Sequence, residues 1–87
     1  MQILYSSQFA REYRQLPLEV KEKAKEKEKF FRQNPFNSRL KTHKLKGKFD
    51  GFLAFSIDFR YRIIFKFQNK NTVRFYAIGD HSIYTKL

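Results

Sequence analysis

The sequence predicts an α+β fold: one domain over residues 1–87, ordered β-α-α-β-β-β, with two N-terminal helices packed on a twisted antiparallel sheet. Three observations carry this reading. Apolar residues recur at helical spacing up to about residue 34. Asn-Pro, Asn-Ser and two glycines punctuate residues 34–51. From Phe52 onward the apolar period becomes two.

Residues 2–6, "QILYS", read as a short opening strand. In residues 6–16, Phe9, Tyr13 and Leu16 lie at helical spacing, with Ser6 or Ser7 available as N-cap. Pro17 ends that pattern and suits the first turn of a second helix over 17–34. The middle of that helix, "KEKAKEKEK", is a solvated face supported by Glu–Lys pairs. Its inner stripe is sparse, with Val20, Ala24 and Phe31. Residues 34–51 read as loop.

Three strands follow. In residues 52–59, Leu53, Phe55, Ile57 and Phe59 share a face. In residues 61–67, Tyr61, Ile63, Phe65 and Phe67 do so. In residues 72–78, Val73, Phe75 and Ala77 alternate with Arg74, Tyr76 and Ile78. A hairpin loop at 69–71 would set Phe65 opposite Phe75, Ile63 opposite Ala77, Lys66 opposite Arg74 and Arg62 opposite Ile78. A loop at 59–61 would set Phe55 opposite Phe65 and Asp58 opposite Arg62. Both registers keep the core residues on one face. They also gather Ser56, Asp58 and Arg62 on the open face, at the sheet end where His81 follows the last strand. Lys66 facing Arg74 is a repulsive pair. Either the register differs or the pair meets an anion.

An 87-residue domain buries only about 60% of its unfolded surface. Eleven Phe and five Tyr compensate, since each aromatic buries a large area. With no Cys, disulfides and Cys-ligated metals are excluded. Two His and eight acidic residues also argue against a metal site or other cofactor. No apolar run reaches membrane-spanning length, and no signal peptide is evident, so the expected compartment is the cytoplasm. The net charge of +11 points to a polyanionic partner. The excess is concentrated late, with eleven basic and three acidic residues over 35–87.

Candidates for chemistry are few: His43, His81, Arg62, Tyr84 and the basic set Lys44, Lys46, Lys48 and Arg60. They form no nucleophile triad, phosphate-binding Gly loop or paired carboxylates. A metal-free reaction on RNA remains feasible, because the ribose 2′-OH is itself the nucleophile. The protein then supplies a base, an acid and a cation. Arg suits the last role through its planar fork. Each residue has a structural alternative: Arg62 as ion-pair partner of Asp58, His81 as a turn residue, His43 as a loop residue, Tyr84 as a core anchor, and the lysines as a solvated loop.

At "HKLKGKFDGF", "YRIIF" and "IGDHSIY" the chain resembles the RelE/ParE superfamily of bacterial toxin–antitoxin toxins. The shared pieces are Leu45-Lys46-Gly47, Tyr61-Arg62-Ile63-Ile64, and Gly79-Asp80-His81 with Tyr84. The resemblance spans nearly the whole chain and implies the same fold. It also implies a ribosome-dependent endonuclease that cuts mRNA in the A site and is neutralised by an acidic antitoxin. Under it, His43 matches a His of the YafQ and YoeB branches, and Arg62 the third-strand Arg of the RelE and YoeB branches. His81 matches the late His or Arg, and Tyr84 the terminal aromatic. Catalysis would then fall to Arg62, His81, His43 and Tyr84, and RNA backbone to Lys44, Lys46, Lys48 and Arg60. The chain departs from the pattern at Leu53 and Phe55, where the RelE branch has lysines, and at Ser56 and Arg60, where YafQ has a His and an Asp. ParE-like members inhibit DNA gyrase without cutting RNA, and they supply the alternative reading. A basic RNA-binding module without activity is a third.

Overall fold

The computed structural model describes residues 1–85. Its elements are β1 (Gln2–Tyr5), α1 (Ser7–Arg14), α2 (Leu18–Gln33), β2 (His43–Lys44), β3 (Leu53–Ser56), β4 (Arg62–Asn69) and β5 (Thr72–Gly79). Short 3-10 turns occupy Ser38–Leu40, Gly47–Phe49 and His81–Thr85. The expected α+β order holds, with two corrections. The segment read as loop contains the two-residue strand β2, too short to show a period. The sheet is also mixed, not wholly antiparallel: its order is β1-β5-β4-β3-β2, with β1 parallel to β5. The helices carry the chain from β1 at one edge to β2 at the other, and β5 then returns beside β1 in the same direction.

Ser6 caps α1. Its Oγ accepts from the Phe9 amide at 2.9 Å, and its hydroxyl donates to the Tyr76 carbonyl at 2.9 Å, so one residue ties helix to sheet. Pro17 sits at the N-cap of α2. Val20, Ala24 and Phe31 are the buried residues of α2, the sparse stripe expected of it. Phe31 is fully buried, with its ring 4.9 Å from Phe55, 4.9 Å from Phe65 and 5.3 Å from Phe75. These rings centre the core between helices and sheet.

Both expected registers need correction. Between β3 and β4, Phe55 faces Ile63 and Ser56 faces Arg62, a shift of two residues. Asp58 causes it. Its Oδ1 accepts from the Arg60 amide at 2.9 Å and the Tyr61 amide at 2.8 Å, so the turn starts at Asp58 instead of Phe59. Because the shift is even, the strand residues keep their faces, but Phe59, expected on the core face, falls in the turn and is 92% exposed. Between β4 and β5, Phe65 faces Phe75 and Lys66 faces Arg74 as expected. A bulge then leaves Tyr76 without a partner, so Ile64 faces Ala77 and Ile63 faces Ile78. Ile78 therefore joins the helix-side core, and Ala77 turns to the open face. Arg62 ends opposite Gly79, not Ile78.

Candidate nucleic-acid interface

Residues facing one another across strands share a sheet face. On the face away from the helices the registers build rows. Ser56, Arg62 and Gly79 form the first row. His43, Ala54, Ile64 and Ala77 form the second, and Lys66 and Arg74 the third. The terminal turn His81–Thr85 folds back over the second row. Its Ile83 is buried against Ala54, Ile64 and Ala77. Gly79 is the corner that permits this, since a Cβ there would lie 2.5 Å from Ile83 Cγ2.

Arg62 occupies the end of the face. Its Nη1 donates to the Asp58 carbonyl at 2.9 Å and to the Tyr61 carbonyl at 3.2 Å. The expected meeting of Arg62 with the Asp58 side chain does not occur. The Asp58 carboxylate serves its own turn and pairs with Lys23 of α2 at 3.6 Å. Burial pushes the Asp58 carboxyl up, but the Tyr61 and Arg60 amides and Lys23 outweigh it and hold the group below the usual Asp range. Among the described residues, no carboxylate pairs with Arg62. The guanidinium is thus oriented by carbonyls while its charge stays uncompensated, a state suited to a phosphate.

His81 is exposed at the start of the terminal turn, just past the Gly79 that faces Arg62. Its ring centroid lies 6.2 Å from that of Tyr84. Tyr84 in turn meets Phe49 edge-on at 6.0 Å, and Lys48 Nζ sits 5.2 Å over Phe49. Asp80 shapes the start of the turn: its Oδ1 accepts from the Ser82 amide at 2.9 Å. The Ser82 amide and hydroxyl hold the Asp80 carboxyl below its usual range, helped by Arg60 and His81. Arg60 reaches Asp80 Oδ2 at 3.8 Å and stacks over Tyr61, so part of its charge is already engaged.

His43 lies on the same face as Arg62, two strands across and one row along, about 12 Å between Cα atoms at ordinary sheet spacing. Its Nδ1 is 3.1 Å from the Lys41 carbonyl. A carbonyl only accepts, so Nδ1 donates in this contact and Nε2 is left without a hydrogen-bond partner among the described residues. The two histidines are not neighbours in the sheet, since β3 and β4 separate their strands. The alternating lysines also divide. Lys44 faces Leu53 and so takes the helix side, opposite to His43. Lys46 precedes the Gly47–Phe49 turn, and Lys48 lies within it. Sequence reasoning passed over Phe49, the aromatic on which Tyr84 rests. Its signal was the "GKFDG" turn, whose Gly47 and Gly51 take positive φ.

Among the described residues no cluster of three or more His, Cys, Asp or Glu could hold a metal, and no helix is long and apolar enough to cross a membrane. A cleft of about 410 Å³ lies on the other side of the sheet, between the helices, lined by Phe9, Tyr13, Ala24 and Glu28 among others. It contains no histidine.

No family model matches the sequence, and no curated protein does. Solved structures do. YafQ from E. coli BL21(DE3) matches with TM-score 0.78 and 22% identity, over 95% of this chain and 96% of that one. A YoeB/ParE toxin from Agrobacterium tumefaciens matches at 0.79 and 16%, over 93% and 99%. A chain of the YoeB–YefM complex from Staphylococcus aureus matches at 0.75 and 21%, over 93% and 97%. The chain has the RelE-like fold of these toxins, as its motifs implied.

Proposed function

We propose that this protein is the toxin of a type II toxin–antitoxin pair and acts in the cytoplasm as a metal-independent endoribonuclease on mRNA in the ribosomal A site. The observation that carries the reading is Arg62. It is a cation held by two backbone carbonyls, unpaired by any described carboxylate, at the strand end where His81 begins the terminal turn. The fold and the motifs at Leu45-Lys46-Gly47, Tyr61-Arg62 and Gly79-Asp80-His81 support it, as does the net charge of +11.

In the proposed reaction the ribose 2′-OH attacks the neighbouring phosphorus. A base takes the 2′ proton, the P–O5′ bond breaks, and an acid returns a proton to the leaving O5′. Arg62 stabilises the doubly charged phosphorane-like state through paired N–H donors. His81, two residues past the Gly79 that faces Arg62, supplies one proton transfer. His43, with Nε2 free, supplies the other from the β2 side. Tyr84 offers a ring face to the target base. Lys44, Lys46, Lys48 and Arg60 are assigned the RNA backbone in this reading, with Lys48 over the Phe49 ring that Tyr84 meets and Arg60 near Asp80.

The partner is an acidic antitoxin segment that neutralises the cationic face. An antitoxin partner is supported by the matching structures of the YoeB–YefM and DinJ–YafQ toxin–antitoxin complexes. Toeprinting of a translated mRNA with purified ribosomes tests the activity. A-site cuts are expected from the intact chain and not from Arg62→Ala or His81→Ala. Growth arrest without cuts, together with inhibited gyrase supercoiling, would replace this reading with the ParE-like one.

A further inference from the structure

The third row of the open face, on the far side of the terminal turn from Arg62, carries a repulsive pair. Lys66 faces Arg74 across β4 and β5, as the sequence register required. Like charges directly opposite destabilise a sheet. The register is therefore real, and the repulsion is not avoided by a slip. No described carboxylate relieves it, because the described ion pairs are Lys23–Asp58, Arg32–Glu28 and Arg60–Asp80.

Lys66 also rests on an aromatic bed. Lys66 Nζ stands 5.1 Å over the Phe52 ring, and Phe52 meets Tyr76 edge-on at 5.1 Å. The Tyr76 hydroxyl accepts from Gln68 Nε2 at 3.2 Å. The bulge at Tyr76 is what leaves that residue unpaired beside the two cations. A cation held over a ring keeps its charge and loses some freedom, so it is partly preorganised for an anion.

We propose that Lys66 and Arg74 form a second phosphate-binding station, which holds the backbone of the same single-stranded RNA whose scissile phosphate sits at Arg62. This rests on the RNA reading above. Four residue steps along β4 separate the two stations, about 14 Å, or roughly four stacked nucleotides. The strand between them crosses the exposed surface of the terminal turn, where His81 and Tyr84 lie. The second station thereby fixes direction and register and brings one phosphodiester to Arg62.

The test uses a labelled single-stranded oligoribonucleotide with 2′-O-methyl groups, which cannot be cleaved, so binding is read apart from catalysis. Binding to the full chain is measured across a salt titration. Each phosphate contact contributes about 0.7 to the log–log salt slope for single strands, so Lys66→Gln with Arg74→Gln should lower the slope by about 1.4. Over a fourfold rise in salt, wild type should lose roughly sevenfold more affinity than this double variant. Lys25→Gln with Lys29→Gln, on α2, should leave the slope unchanged.

A second readout needs no RNA. Arg74→Gln alone should raise the Tm of the free protein by relieving the repulsion. An unchanged slope in the double variant, an equal loss in the α2 control, or a fall in Tm would overturn the second station. Failure of A-site cutting with the slope change intact would count against the nuclease reading alone.

Discussion

The two faces of the sheet are built differently. The helix-covered face is a stack of rings, with Phe31, Phe55, Phe65 and Phe75 buried together. The open face has a thin apolar row, Ala54, Ile64 and Ala77, roofed by Ile83 and flanked by the partly buried Leu45, Phe52 and Tyr84. Around that row stand Arg62, Lys66 and Arg74, none paired with a described carboxylate. The fold separates the two tasks. Aromatic burial on one face supplies stability, which lets the other face carry uncompensated charge.

The sharpest way to break this contrast is Phe31→Ala. It removes the ring common to three aromatic contacts and should cost about 3–5 kcal/mol, a large share of a small domain's stability. Urea denaturation measures it. A loss under about 1 kcal/mol would mean that the helix-covered face is not the main source of stability.

Arg62→Ala should do the reverse. Its hydrogen bonds go to two carbonyls on a partly exposed surface, so unfolding free energy should change by less than about 1 kcal/mol. A-site cleavage should fall by about 10²–10³-fold, the usual loss on removing one transition-state donor. A single-turnover cleavage assay beside a urea curve separates the two effects. A stability loss matching that of Phe31→Ala would erase the distinction between the faces.

What was legible in the sequence follows the same division. The helix-covered face was legible because alternation names it directly: Leu53, Phe55, Ile63, Phe65, Val73 and Phe75 all lie where the period put them. Ile78 and Ala77 exchanged faces because the Tyr76 bulge adds one residue, and a single extra residue leaves no trace in a hydrophobic pattern. The Asp58 turn was readable from Asp at the head of a hairpin, but counting loop residues from Phe59 concealed it. On the open face, the placement of Arg62 beside the chain after Gly79 was legible. The distance between His43 and His81 was not, because β2 is two residues long and the terminal turn has no periodicity to read.

Gly79→Ala tests how the roof is held. The added Cβ would meet Ile83 Cγ2, so the terminal turn must shift, at a cost of about 1–3 kcal/mol. In an Ile83→Ala background the same change should cost almost nothing. A double-mutant cycle from urea curves gives the coupling, expected above about 1 kcal/mol. A coupling near zero would mean that the turn is not pinned through this contact.

The smallest expected effect lies at the hinge between the faces, in Asp58. Its carboxylate ties the β3–β4 turn to Lys23 of α2, while its backbone carbonyl orients Arg62. The folded carboxyl titrates below the unfolded value of about 3.9. Its charged form therefore stabilises the fold fully at neutral pH, and that contribution is lost as pH falls through the folded value. Asp58→Asn keeps an oxygen acceptor for the turn amides and removes only the charge. It should be less stable than wild type by about 1 kcal/mol or less near pH 7. The gap should begin to close below about pH 4 and vanish once pH has fallen through the lower folded value, where wild type has lost the same charge. Urea denaturation at stepped pH reads this directly. A gap that widens in acid would assign the stabilisation to another carboxylate.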